Sequence, residues 1–259
     1  LQTVFQLLDW GDDVRIRVRD DGDLRRVDSL PGVAPEDDLG LRAAQALRDA
    51  SATKLGADIG VTKRIPIGGG LGGGSSDAAS VLVALNAMWN TGLGDDALAA
   101  IGLALGADVP VFVRGRSAWS EGIGEQLTPI ELPERWFVVV DPGARVPTRE
   151  LFQVPDLTRN SPQLTIPLFA SGAATGNAFE PVVRARFPEV AAALDWLGGF
   201  GPARLSGSGG CVFVPIGSRD EGLAVLAECP PGMRGFVVQG VAESPLRRRL
   251  AEWREKRVS

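Results

Sequence analysis

The stretch IPIGGGLGGGSSDAAS, Ile65 to Ser80, decides how the rest of the chain is read. Gly68, Gly69 and Gly70, then Gly72, Gly73 and Gly74, enclose the single Leu71, and Ser75, Ser76 and Asp77 follow before a strongly apolar run. Glycines in such density let the backbone take positive φ and remove the Cβ atoms that would hold a ligand off the main chain. Ser, Ser and Asp are helix N-cap types, so a helix is expected from about Ser76 to Trp89. A glycine loop feeding a helix N-terminus offers unpaired N–H groups and the positive end of the helix dipole. That is an anion site suited to phosphates.

Three other readings compete. A flexible linker is seldom flanked by RIPI on one side and a buried helix on the other. Gly68 to Gly73 matches the bare dinucleotide pattern G-x-G-x-x-G. The acidic residue that pattern needs about 20 positions on falls in NTGLGDD, with no strand before it. A Walker loop needs Gly-Lys-Ser/Thr, and this loop holds no lysine. What remains is a phosphate loop without the Walker lysine.

The chain has 259 residues, enough for one large domain or two small ones. A hydrophobic share of 44% with 23% charged residues is that of a globular protein. The net charge of −5 argues against a nucleic-acid partner. Cys211 and Cys229 are the two cysteines, and they make neither a disulfide scaffold nor a metal-ligand spacing. A cytoplasmic location and no bound structural metal are expected. The run Ala78 to Gly94 carries no charge but is interrupted by Asn86, Asn90, Thr91 and Gly92. It reads as a buried helix, so no membrane partner is expected. The chain contains no His and no Tyr. That excludes a His base, a His metal ligand and a Ser-His-Asp triad, and leaves base work to Asp, Glu, Lys or Cys.

Val14, Ile16 and Val18 alternate with Arg15, Arg17 and Arg19, which predicts a half-buried strand. SLPGVAPEDD, 29–38, reads as a loop and DLGLRAAQALRDAS as a helix. ADIGVTKRIPI returns to strand, GDDALAAIGLALG is a helix stopped near Gly106, and DVPVFVRG reads as the entry to a strand. The second half adds a buried strand in RWFVVVDPG, a short helix from VPTRELF and a long turn-rich connection, LTRNSPQLTIPLFASGAATG. A helix in FPEVAAALDWLGGFG, the strand–loop–strand GPARLSGSGGCVFVPI, the helix RDEGLAVLAEC and the strand RGFVVQGV follow. The basic end, RRRLAEWREKR, reads as a solvated helix or tail. The expectation is an α+β protein of two lobes, 1–127 and 128–259, joined near Gly124 to Pro133.

Two further stretches carry chemistry. In LGADVPVFVRG, Asp108 sits in a turn, with Val109-Pro110 expected to hold extended backbone beyond it. It is either a capping turn residue or a carboxylate placed to accept an alcohol proton during phosphoryl transfer. Its position relative to the glycine loop decides between these. LSGSGGCVF, Leu205 to Phe213, is either a tight hairpin turn or a second close backbone approach to a ligand, with Cys211 starting a buried strand.

Taken together and in this order, these stretches resemble the GHMP kinase superfamily of galactose, homoserine, mevalonate and phosphomevalonate kinases. PIGGGLGGGSSDAA is similar to its central phosphate loop and LSGSGGCVF to its C-terminal glycine loop. GADVPVFVRG, DPGARVPTRELF and NAFEPVV extend the likeness over nearly the whole chain and toward the member acting on a cytidine diphosphate-linked methylerythritol. The resemblance implies a two-lobed fold, ribosomal S5-like then ferredoxin-like. It implies ATP as phosphoryl donor with Mg²⁺, and the tertiary 2-hydroxyl of that small molecule as acceptor, in non-mevalonate isoprenoid precursor biosynthesis. By the same match Pro66, Ile67, Gly68, Gly69, Gly70, Leu71, Gly72, Gly73, Gly74, Ser75 and Ser76 embrace the ATP phosphates, and Asp108 is the catalytic aspartate. Thr148 and Phe152 line the substrate side, with Phe152 stacking on cytosine. Asn177 and Ser206 to Gly209, including Gly207 and Ser208, fall near the same cleft.

One departure follows from the same comparison. The family opens with a segment like PAKLNLFL, whose Lys is a second catalytic residue, and then GYHE, whose Tyr and His contact the cytidine. Leu1 matches the position after it. The expectation is that a polypeptide of this sequence alone is weak or inactive. A rate equal to that of a version carrying the segment would overturn it. Another small-molecule kinase of the superfamily, or a nucleotide-binding module without catalysis, are the other readings.

Overall fold

The computed structural model describes residues 1–28, 33–172 and 175–258, with side chains to 256. The chain divides into two compact units. The first comprises Leu1–Arg64, Gly72–Leu132 and Ala242–Ser259, and the second Ile65–Leu71 with Pro133–Val241. Where the sequence reading drew one break at 127/128, the chain passes between these units at 64/65, 71/72, 132/133 and 241/242.

In the first unit the strand Asp13–Arg19 lies antiparallel to Gly56–Thr62, with Ile16 opposite Ile59, and Leu24–Arg26 runs parallel on the other side. The period-two pattern has the expected effect. Val14, Ile16 and Val18 pack toward the core, while Arg17 and Arg19 reach across to the buried Asp58 on the opposite face. These guanidiniums, Arg17 first, hold the Asp58 carboxyl below its usual range. Helix α1 spans Leu39–Ser51; the Asp38 carboxylate caps it by accepting from the N–H groups of Gly40 and Leu41 at 2.8 and 3.3 Å. Helices α2, Gly73–Met88, α3, Asp95–Leu105, and α4, Val109–Arg114, complete the layer over the sheet. Inward residues of the four helices and the sheet, among them Leu47, Ile59, Leu82, Leu85, Leu98 and Val113, form one apolar cluster. A second antiparallel sheet joins Thr3–Phe5, Ala118–Glu121 and Gln126–Pro129.

The second unit is built on antiparallel strands in the order Arg234–Val241, Trp136–Asp141, Val212–Ile216, Arg204–Leu205. Val138 faces Val214 on one neighbour and Val237 on the other. Helices α5, Thr148–Leu151, α6, Ile166–Ala170, α7, Glu180–Arg186, α8, Pro188–Gly198, and α9, Arg219–Ala227, are interspersed. Val138, Val140, Leu194, Leu197, Val212 and Val214 form this unit's own core.

The structure corrects four local expectations. DVPVFVRG is the helix α4, not a strand, and Asp108 has helical angles, φ −87° and ψ −11°. Pro110 falls in its first turn, where the missing N–H would have had no partner in any case. Helix α2 begins three residues early, inside the glycine loop, so Gly72 is its N-cap and Ser75, Ser76 and Asp77 lie within the helix. The turn-rich connection 157–176 contains α6, and its residues 173 and 174 lie outside those described. So do residues 29–32 of the loop 29–38, whose later part holds a short 3₁₀ turn, Pro35–Asp37. The basic C-terminal stretch is a docked helix, α10, Pro245–Val258, which packs Leu246, Leu250 and Trp253 on the first unit's core.

Candidate active site

The glycine loop has a backbone reason for its composition. Gly70 has φ +71°, and a Cβ there would lie 2.2 Å from the Ser206 carbonyl oxygen. A Cβ on Gly69 would meet the Cys211 sulfur at 2.7 Å. The loop thus lies main chain to main chain on LSGSGGCVF. The Cys211 N–H donates to the Gly69 carbonyl at 2.9 Å, and the Ser206 hydroxyl donates to the Gly70 carbonyl at 2.9 Å. LSGSGGCVF is also a hairpin turn between antiparallel strands, closed by the Ser206 N–H on the Cys211 carbonyl. Its close backbone approach is to the first loop. Cys211 is fully buried and its thiol is pushed up to about 12, chiefly by burial, so it is a packing residue and no nucleophile.

Helix α2 starts at Gly72, φ +67°, with the Ser76 N–H on the Gly72 carbonyl and no side-chain cap. The N–H groups of the first turn have no intrahelical acceptor. They and the dipole make the sixteen-residue helix a seat for an anion.

Two contacts place the turn that carries Asp108 against this helix start. A Cβ on Gly72 would lie 2.8 Å from the Phe112 ring of α4, and one on Gly106 3.8 Å from the Ser75 hydroxyl. The turn 106–108 and α4 therefore pack on the first turn of α2. Asp108 is the N-cap residue of α4, yet its carboxylate makes no cap bond. It is half-buried, and burial raises its pKa. The capping reading of Asp108 is not what the structure shows. A half-buried carboxylate without a cap bond, in a turn packed on the start of α2, can take a proton.

In the second unit the remaining sequence-predicted residues come together. The hydroxyls of Thr148 and Ser208 are 2.5 Å apart. The Asn177 amide donates to the carbonyls of Leu205 and Gly207 at 3.0 and 2.7 Å. The Phe152 ring, half exposed at 51%, stands edge-on to Phe179 with centroids 5.0 Å apart.

A feature that sequence reasoning missed lies at the stem of the loop. Lys63 pairs with Asp77 of α2 at 2.8 Å and with Asp12. Spacing gives no hint of it, because Asp12 is distant in sequence and Asp77 reads as a cap. Its one visible signal is an Asp inside an otherwise apolar helical run. Among the described residues no group of three or more Cys, Asp or Glu side chains is arranged to hold a metal ion. None of their helices is long and apolar enough to cross a membrane.

Comparison with known proteins identifies the family. Residues 38–116 match the GHMP kinases N terminal domain and 154–230 the GHMP kinases C terminal domain. A 4-diphosphocytidyl-2-C-methyl-D-erythritol kinase of Halorhodospira halophila is 57% identical over 255 residues, covering 97% of this chain and 88% of the relative. The chain belongs to the 4-diphosphocytidyl-2-C-methyl-D-erythritol kinase family. A crystal structure of 4-(cytidine 5'-diphospho)-2C-methyl-D-erythritol kinase superposes with a TM-score of 0.79 at 30% identity, covering 93% of this chain and 90% of that one. A homoserine kinase from Cytophaga hutchinsonii, at 15% identity and TM-score 0.71 over 92% and 89%, shares the fold. The protein is an α+β GHMP kinase, an enzyme that takes ATP as co-substrate for a small molecule.

Proposed function

We propose that this kinase transfers the γ-phosphoryl group of ATP to the 2-hydroxyl of 4-diphosphocytidyl-2-C-methyl-D-erythritol, with Asp108 as the base. The observation that carries the reading is the packing of Asp108's turn on the start of α2, which no side chain caps. Backbone N–H groups of 66–76 and the α2 dipole bind the phosphates and offset their charge. Asp108 accepts the proton of the acceptor hydroxyl as its oxygen bonds to phosphorus and ADP leaves. Burial makes it a stronger base than a solvated carboxylate. Thr148, Phe152, Asn177, Gly207 and Ser208 hold the cytidyl part, with Phe152 offering its exposed ring face to the base.

Mg²⁺ suits the donors present. The Ser75 hydroxyl, in the first turn of α2, would be the protein oxygen that holds it beside the phosphates. Bound with the nucleotide, it neutralises phosphate charge. A cytoplasmic reaction in isoprenoid precursor synthesis completes the reading.

The test offers ATP with the cytidyl alcohol, homoserine or mevalonate in parallel to the wild-type chain and to Asp108→Asn. Phosphorylation of the cytidyl alcohol and of neither other alcohol, at however low a rate, with its loss in the variant, is the expected result. Turnover of either other alcohol would redirect the reading within the superfamily. ATP binding without turnover on any would make the chain a nucleotide-binding module.

A further inference from the structure

The glycine loop leaves the first unit after Arg64 and re-enters it at Gly72. Its two ends are joined by side chains of that unit. Lys63 precedes the loop and Asp77 follows it, and Lys63 Nζ lies 2.8 Å from Asp77 Oδ2. Asp12 accepts from the same ammonium, and its other oxygen accepts the Arg64 N–H at 2.6 Å. The Arg64 guanidinium is turned away onto Asp13. The three central side chains are buried, with 17%, 9% and 1% of Lys63, Asp77 and Asp12 exposed.

A buried ion pair is seldom a gain over apolar packing, because desolvating the charges offsets their attraction. Stability alone therefore gives a weak account of this one. Its placement gives a better one. Segment 64–76 is glycine-rich and loses more freedom on ordering than other chain would. A charge-assisted bond across its mouth fixes the distance and register of its ends.

We propose that Lys63 and Asp77, braced by Asp12, form a clasp that holds the phosphate loop in its ATP-binding shape, as positioning residues for the nucleotide. The proposal rests on the reading of 66–76 as the phosphate loop. ATP never meets the clasp; it binds a loop whose ends the clasp has already set.

The test is calorimetric titration of the full chain with ATP and Mg²⁺, and separately with cytidine 5'-diphosphate. The variants are Asp77→Asn, Lys63→Met, the uncharged pair Lys63→Met with Asp77→Leu, and Gly70→Ala. The pair removes both charges of the clasp and refills the space, while the Asp12 carboxylate keeps the Arg64 N–H as a partner, and its folding is checked by circular dichroism beside the titration. ATP affinity is expected to fall about tenfold or more in each clasp variant, the loss of one charge-assisted bond, with cytidine 5'-diphosphate affinity unchanged. Unchanged ATP affinity in the folded pair overturns the clasp. So does an equal loss for both ligands, which would mark general disorder. Gly70→Ala separates the underlying reading: if it binds ATP like the wild type, the loop is not the phosphate site.

Discussion

At the scale of single residues, Asp108 and Gly70 are where the proposed chemistry is most directly tested. Asp108 has a raised pKa from burial, no hydrogen-bond partner in its own cap, and a turn wedged on α2. Asp108→Asn keeps the shape and removes the proposed base. Turnover should fall by about 10² to 10⁴, the range of general-base contributions, with ATP affinity retained in a binding assay. Only the ionised carboxylate accepts a proton, and a raised pKa moves the loss of that form to higher pH. The acid limb of the kcat profile should therefore lie above the usual carboxylate range, and a limb at or below pH 4 would count against Asp108 as the base. Gly70 fails differently. Alanine there meets the Ser206 carbonyl and takes a left-handed angle costing about 1 to 3 kcal/mol. The loop must shift, so Gly70→Ala should abolish measurable ATP binding while Asp108→Asn spares it.

At the scale of elements, the start of α2 shows how far sequence reading reaches. The glycine loop and the helix after it are legible in IPIGGGLGGGSSDAAS, because glycine density and an apolar run are local signals. The helix start is not. Gly72 caps α2 through its backbone angle and the overlying Phe112 ring, and Phe112 is remote in sequence. DVPVFVRG misled for a related reason. Its β-branched residues and proline favour extended chain, but Val109, Val111 and Val113 are all buried in the fold, and tertiary packing overrides propensity. Thr148, Phe152, Asn177 and Ser208 are named through resemblance alone; nothing in their spacing points to them. Asp77 yields a pH prediction at this scale. Burial, outweighing Lys63 and aided by Asp12, pushes its carboxyl up to about 7. The folded state then holds this proton more tightly than the unfolded chain. The contribution is fully present below pH 4 and is lost as pH rises through about 7. Stability measured by denaturant should decline across that window, and Asp77→Asn should flatten the decline; an identical slope in the variant would show that Asp77 is not its source.

At the scale of the whole molecule, the order of the chain matters more than its length. The first unit is interrupted twice, by Ile65–Leu71 and by Pro133–Val241, and its last element is α10. Its core is therefore closed by residues far from those that begin it, a topology dominated by non-local contacts. Helix α10 looks dispensable in sequence because it is so basic, yet its apolar residues recur at helical spacing, Leu246, Leu250 and Trp253. Leu250 is 9% exposed and packs in the first unit's core, while Arg247 pairs with Asp95 at the start of α3 at 2.8 Å. Truncating Leu250 to alanine removes buried methyl groups and leaves a cavity, which costs about 2 to 4 kcal/mol. The loss should be regional, because the second unit has an apolar core of its own. Hydrogen exchange by mass spectrometry reads this directly. In Leu250→Ala, protection should drop in α1, α2 and the strand Gly56–Thr62, and hold in the strands Trp136–Asp141 and Val212–Ile216. A uniform drop across both sets would mean that the two cores open as one cooperative body. A drop confined to α10 would mean that this helix frays without supporting the core beneath it.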